Sequence, residues 1–172
     1  MIFVYYACKP FYFDRLFSYL AIYYFSNYSL MTDQQILVVK NSWDLVLKMD
    51  PHMIGHVFYS RLFLQMPSLR PMFKPDMKEQ YQKIIDMLNL IVSKLENLEE
   101  LNDEITQLAI RHTGYGVKPR HYALVGDALL WTLAKGLGTA WTAEMAIAWT
   151  KCYNLLSDTM IVAANNAKKS AS

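Results

Sequence analysis

Of the four histidines in the chain, His52, His56, His112 and His121, only His112 combines an apolar line behind it with glycines ahead of it. Leu101, Ile105, Leu108 and His112 follow at steps of four, three and four, which sets them on one helix face. Gly114 and Gly116 stop that helix just beyond. An imidazole so placed suits metal ligation; it suits equally a core or capping histidine bonded to a main-chain carbonyl. His52 and His56 stand four apart and could clamp a metal, but no third ligand is in evident reach, so they read as surface or packing residues. There is no Gly-rich phosphate loop, no paired-cysteine zinc spacing and no nucleophile elbow. Cys8 and Cys152 are 144 positions apart and suggest neither a disulfide framework nor a thiolate site; a reducing compartment is the simplest reading.

The elements that must position these residues read as helices. Thr32 and Gln35 have the spacing of a capping box, and Ile36, Val39, Trp43, Val46 and Leu47 form one apolar stripe before Asp50-Pro51 breaks it. Asp50 caps a second helix with Pro51 in its first turn, running to Met66-Pro67; a Pro-punctuated segment with Phe73 follows. Next comes a long helix with Tyr81, Ile84, Ile85, Leu88, Ile91, Val92 and Leu95 inward, ending in the acidic turn from Glu96 to Glu100. The His112 helix is next, then one opened by Pro119 with Tyr122, Val125, Leu129 and Leu133 inward, closed near Gly136 to Gly138. Thr142 starts the last helix, with Met145, Ala148, Trp149, Cys152, Leu156 and Met160 on one face. No stretch alternates with the period of a strand.

From about Thr32 to Met160 this order of residues resembles the bacterial single-domain globins and the haem domain of flavohaemoglobins. The matching residues are Phe58-Tyr59 with Arg61, Pro67 then Phe73, Gln80 and Ile84, and Glu96-Asn97-Leu98. Further along come Arg111-His112-Thr113, Tyr115-Gly116-Val117, Lys118-Pro119, His121-Tyr122, Val125-Gly126 and Ala148-Trp149 with Tyr153. The resemblance implies an all-α globin fold with haem b in a slot between the long helix and the His112 helix, His112 as the proximal iron ligand and Phe73 packed on the porphyrin. It makes Tyr59 and Gln80 the distal pair, donating hydrogen bonds to dioxygen worth roughly 1.5–3 kcal/mol each when the acceptor carries charge. Ile84, Leu88, Leu108, Val117 and Val125 become the aliphatic lining. Tyr122 falls at the proximal tyrosine of flavohaemoglobins, whose glutamate partner is replaced here by Ala164, which argues against a strong anionic push on the iron. Lys83 reads as a solvated lysine rather than a propionate partner.

The implied function is reversible, high-affinity dioxygen binding, used for oxygen transport or for nitric oxide scavenging by dioxygenation. With only twelve residues after Met160, turnover would need a separate reductase, so the chain reads as a gas-binding protein and not an enzyme. Two rivals stand beside it: a haem-based gas sensor or interaction module, and a cofactor-free helical structural protein. A hydrophobic share of 53% can fill one core, and a net charge of +2 without blocks of like charge argues against nucleic acid as a partner. Residues 1–30 are set apart, holding 12 of the 24 aromatics. Their cleanest apolar run, Leu16 to Phe25, is ten long, too short to span a membrane, which needs roughly 20 residues. They read as a misplaced start with Met31 the initiator, or as an interfacial or oligomerising helix. The expected organisation is thus an extension (1–30), a globin domain (31–165) and a tail (166–172), in a cytoplasmic monomer or homodimer.

Overall fold

The computed structural model describes residues 31–170, and among these there are helices and no strands. The expectations for residues 1–30 lie outside them. Helix α1 spans Asp33–Val46. Thr32 closes the expected capping box: its hydroxyl accepts from the Gln35 amide at 3.2 Å, and Gln35 Oε1 accepts from the Thr32 amide at 3.1 Å. Val39, Trp43 and Val46 are buried, but Leu47, expected on the same stripe, is 47% exposed. It is the C-cap residue, still in αR conformation with its amide bonded to the Trp43 carbonyl at 2.9 Å, so its exposure comes from what lies beyond the helix end and not from a change of backbone.

Asp50 caps α2, Pro51–Gln65, by accepting from the His52 amide at 2.9 Å. A 3-10 segment, Pro67–Met72, leads to α3, Lys78–Ser93. A second 3-10 segment, Leu95–Leu101, is broken by the non-helical backbone of Asn97 (φ −138°, ψ 55°), so Leu95 lies beyond α3 rather than on it. Then follow α4, Asn102–Gly114, α5, Pro119–Leu137, and α6, Ala143–Ser170. The positive φ of Gly116 and Gly138 ends α4 and α5 as their glycines foretell. The tail expected from residue 166 shows no break: α6 runs on to Ser170, because Ala163, Ala164 and Ala167 favour helix and no Gly or Pro interrupts them.

α2 packs on α3 and α5, while α6 packs on α1, α4 and α5. Trp43 and Trp149 meet in the core with ring centroids 5.8 Å apart. Both indoles are satisfied: Trp43 Nε1 donates to Asn89 at 3.0 Å and Trp149 Nε1 to the Ser42 hydroxyl at 2.9 Å. That hydroxyl donates on to main-chain carbonyls of α1. The consecutive helices α3 and α4 are not among the pairs that pack extensively on one another. The 3-10 segment with its break at Asn97 stands between two helices that the sequence joins directly.

The crossing of α2 over α3 depends on Gly55. A Cβ at that position would stand 2.5 Å from Tyr81 Cα and 2.9 Å from its carbonyl oxygen, against backbone that cannot rotate away. Gly55→Ala should therefore destabilise the protein by about 2 kcal/mol through overpacking. Chemical denaturation checks this; an unchanged midpoint would show that the crossing relaxes freely.

Candidate functional site

One turn beyond the Gly55 crossing, the ring of Tyr59 is buried among Phe58, Phe63, Phe73 and Tyr81, with centroids 4.9–5.9 Å away. Among the described residues its hydroxyl has no hydrogen-bond partner, and neither has the side-chain amide of Gln80, half-buried at the start of α3. Burial, with a smaller contribution from the neighbouring Tyr81, pushes the Tyr59 phenol up to about 12, so it stays protonated and remains a donor at neutral pH. Phe73 ends the 3-10 segment and packs edge-on to Tyr59 at 5.3 Å. Its loop is held by Arg70, whose guanidinium donates to the carbonyls of Phe73 (3.2 Å), Lys74 (3.0 Å) and Pro75 (3.0 Å).

On α4, His112 is half-buried, and its Nδ1 lies 2.9 Å from the Leu108 carbonyl one turn back. A carbonyl can only accept, so Nδ1 carries the proton and the Nε2 lone pair is left without a partner among the described residues. Burial holds its pKa below the usual imidazole value; the Leu108 bond raises it and nearby Arg111 lowers it further. The ring is thus neutral, as a metal ligand must be. His121 is fixed in the opposite tautomer. The Lys118 amide donates to its Nδ1 at 3.2 Å, which places the proton on Nε2, a buried atom with no partner. Its lone pair is already used, so the structure distinguishes one candidate ligand from the other by proton placement alone.

The remaining expected residues fall into two groups. Phe73, Ile84, Leu108, Val117, Tyr122 and Val125 are all half-buried and pack against the core, none of them fully covered by the chain. Leu88 is in the main core, lining a small apolar cavity with Trp43 and Leu129. Lys83 is exposed and pairs with Glu79 at 3.2 Å, as a solvated lysine should. His52 and His56 are exposed and lie edge-on to Tyr81 at 6.5 and 5.8 Å. Among the described residues no cluster of three His, Cys, Asp or Glu could hold a metal ion.

Three positioning residues escaped sequence reasoning. Arg70 gave no signal beyond its place in a proline-punctuated loop. Gly55 and Gly126 were visible as isolated glycines in helical patterns, the usual mark of close packing. A Cβ on Gly126 would stand 2.6 Å from the Tyr153 ring, and the space it leaves lets the Tyr153 hydroxyl donate to the Tyr122 carbonyl at 2.6 Å. Ala164, at the position of the absent glutamate, is half-buried against the core.

The described residues thus form an all-helical domain in which one half-buried imidazole keeps an unprotonated Nε2. The globin family model matches residues 56–160. The neuroglobin of Tetraodon nigroviridis is 32% identical over 138 residues, covering 72% of this chain and 86% of its own length. The flavohemoprotein of Vibrio cholerae is 27% identical over 135 residues, covering 77% of this chain but only 34% of its own. The solved structure of a bacterial globin from Campylobacter jejuni has a TM-score of 0.69 at 25% identity, covering 80% of this chain and 99% of its own. The chain belongs to the globin family. That membership implies haem-based gas binding, and the free Nε2, the two partnerless donors and the half-buried apolar residues fit a haem.

The depressed imidazole of His121 couples folding to pH. Burial is the main cause, with the Arg120 and Lys118 charges adding to it. The unfolded chain takes up its proton near the usual value of about 6.5, before the folded protein does, so the contribution is present above that pH and lost as the pH falls through it. Denaturation midpoints of haem-free protein should therefore fall between pH 7.5 and 5.5, and His121→Gln should flatten the fall. A midpoint that rises on acidification would reverse this sign.

Proposed function

We propose that this globin holds haem b through His112 and binds dioxygen reversibly and tightly at the opposite side, between Tyr59 and Gln80. The observation that carries this reading is the proton placement on His112, which leaves Nε2 as a free lone pair. Bound haem supplies an open coordination position at which a diatomic gas is held. Everything else is the work of this chain. The Leu108 carbonyl orients the imidazole and fixes its tautomer. The Tyr59 phenol and the Gln80 amide offer N–H and O–H donors to a gas that draws charge from the metal. Phe73, Ile84, Leu108, Val117, Tyr122 and Val125 exclude water from the slot, and Leu88 backs them from the core.

Oxygen transport or storage is one use of such a site. Nitric oxide scavenging by dioxygenation is the other, and it needs an electron donor to restore ferrous iron after each turnover. The likeness to flavohemoproteins favours this second use, while Ala164 and the neutral carbonyl acceptor of His112 supply no anionic push. In either use the protein binds dioxygen and nitric oxide, and a separate reductase is its expected partner.

His112→Ala should abolish stable haem retention, read as loss of the Soret band after gel filtration; a variant that retains haem like the parent removes the ligand assignment. Tyr59→Phe should raise the dioxygen dissociation rate roughly tenfold or more, the loss of one charge-assisted hydrogen bond. Flash photolysis measures it, and an unchanged rate means that the phenol does not reach the gas.

A further inference from the structure

The charges of this globin are not spread evenly. Residues 70–83 and 111–120 hold seven basic residues (Arg70, Lys74, Lys78, Lys83, Arg111, Lys118 and Arg120) against Asp76 and Glu79. The rest of residues 31–170 holds eight basic against twelve acidic. The two segments are distant in sequence but adjoin in the fold: the Met72 methyl lies 4.0 Å from where a Cβ of Gly116 would stand. They contain the loop that carries Phe73, the start of α3 and the turn after His112, and so border the slot expected between α3 and α4. Every one of the seven is exposed except Arg70, which is half-buried.

Arg70 serves the fold and Lys83 pairs with Glu79, but two further observations set the other basic residues apart. Lys118 and Arg120 sit at the N-cap and in the first turn of α5, and Lys78 is the first residue of α3. Positive charge at a helix N-terminus opposes the macrodipole. The first turn of α5 holds no acidic residue to offset it. At the same place two apolar side chains face solvent, Met72 at 38% and Tyr115 at 62% exposure. Exposed apolar side chains within a charged rim form the layout of a small, transient protein interface. The two carboxylates of a porphyrin would offset two of the five surplus charges and leave the remainder.

We propose that this basic rim around Met72 and Tyr115 is the docking surface for an acidic electron-donating protein. The inference rests on the reading of the chain as a haem protein served by a separate reductase. The partner's reduced flavin gives up one electron, passing from hydroquinone to semiquinone, and the ferric iron becomes ferrous; no covalent bond forms or breaks. Unlike charges steer the encounter and raise its rate by about 10- to 1,000-fold at low salt. The apolar centre brings the flavin towards the slot, and the small area lets the complex separate after transfer.

The test is stopped-flow reduction of the ferric full-length protein by reduced flavodoxin, a small acidic flavoprotein, at rising salt. The second-order rate should fall about tenfold or more between roughly 20 mM and 500 mM salt, as screening shortens the reach of the charges. Lys74→Glu, Lys78→Glu and Arg120→Glu together should cost about tenfold or more at low salt and little at high salt. The Soret spectrum and dioxygen release should stay unchanged, since glutamate suits both helix starts. The matched set Lys48→Glu, Lys135→Glu and Lys169→Glu, outside the rim, should keep the parental rate. A salt-independent rate, or equal losses in both sets, overturns the proposal. Amide NMR shifts on adding flavodoxin should cluster in residues 70–83 and 111–120; shifts elsewhere, or shifts with anionic phosphatidylserine vesicles and none with flavodoxin, overturn it as well. Because the NMR map needs no haem, a protein that fails to hold haem defeats the functional reading while the map still decides the surface.

Discussion

The hydrogen bond between His112 Nδ1 and the Leu108 carbonyl is the interaction on which the site depends. It costs the fold little, since the carbonyl lies one turn back on the same helix. Yet it decides which nitrogen keeps its proton, and so whether the ring can coordinate at all. His121, nine residues on, shows the alternative, for there a backbone amide takes the Nδ1 lone pair and no coordinating atom is left. The proton placement on both rings is thus set by local backbone geometry, and under the proposed reading the tertiary fold has to supply the rest of the site.

That second task falls to close contacts. Gly55 allows α2 to touch the backbone of α3, which brings Tyr59 against Tyr81 and next to Phe73. Gly126 does the same for α5 and α6, seating Tyr153 so that its hydroxyl ties down the Tyr122 carbonyl. Both crossings are rigid because the missing atom is a Cβ and the neighbour is backbone or a packed ring. The break at Asn97 stands between α3 and α4, the pair between which a cofactor is expected.

Much of this was legible in the residues. The Thr32 capping box, the Asp50 cap and the glycines closing α4 and α5 all follow from residue types at short local spacings. What escaped was set by tertiary geometry. Ile84 and Leu88 share a stripe and line one small cavity with Trp43 and Leu129, since a stripe says which side of a helix is covered and not by what. Leu47 follows the same periodicity, and its exposure is set by what lies beyond the helix end. The tautomer of His121 depends on the turn that brings the Lys118 amide to it, and no pattern of residue types records that.

Arg70 carries a consequence of a different kind. The loop between α2 and α3 has no ladder of its own, and three of its carbonyls are gathered by one guanidinium. The Phe73 amide also donates to the Arg70 carbonyl at 3.1 Å, so one arginine holds Phe73 from both sides, by its guanidinium and by its main chain, and a change at Arg70 reaches the aromatic cluster around Tyr59 through a single residue.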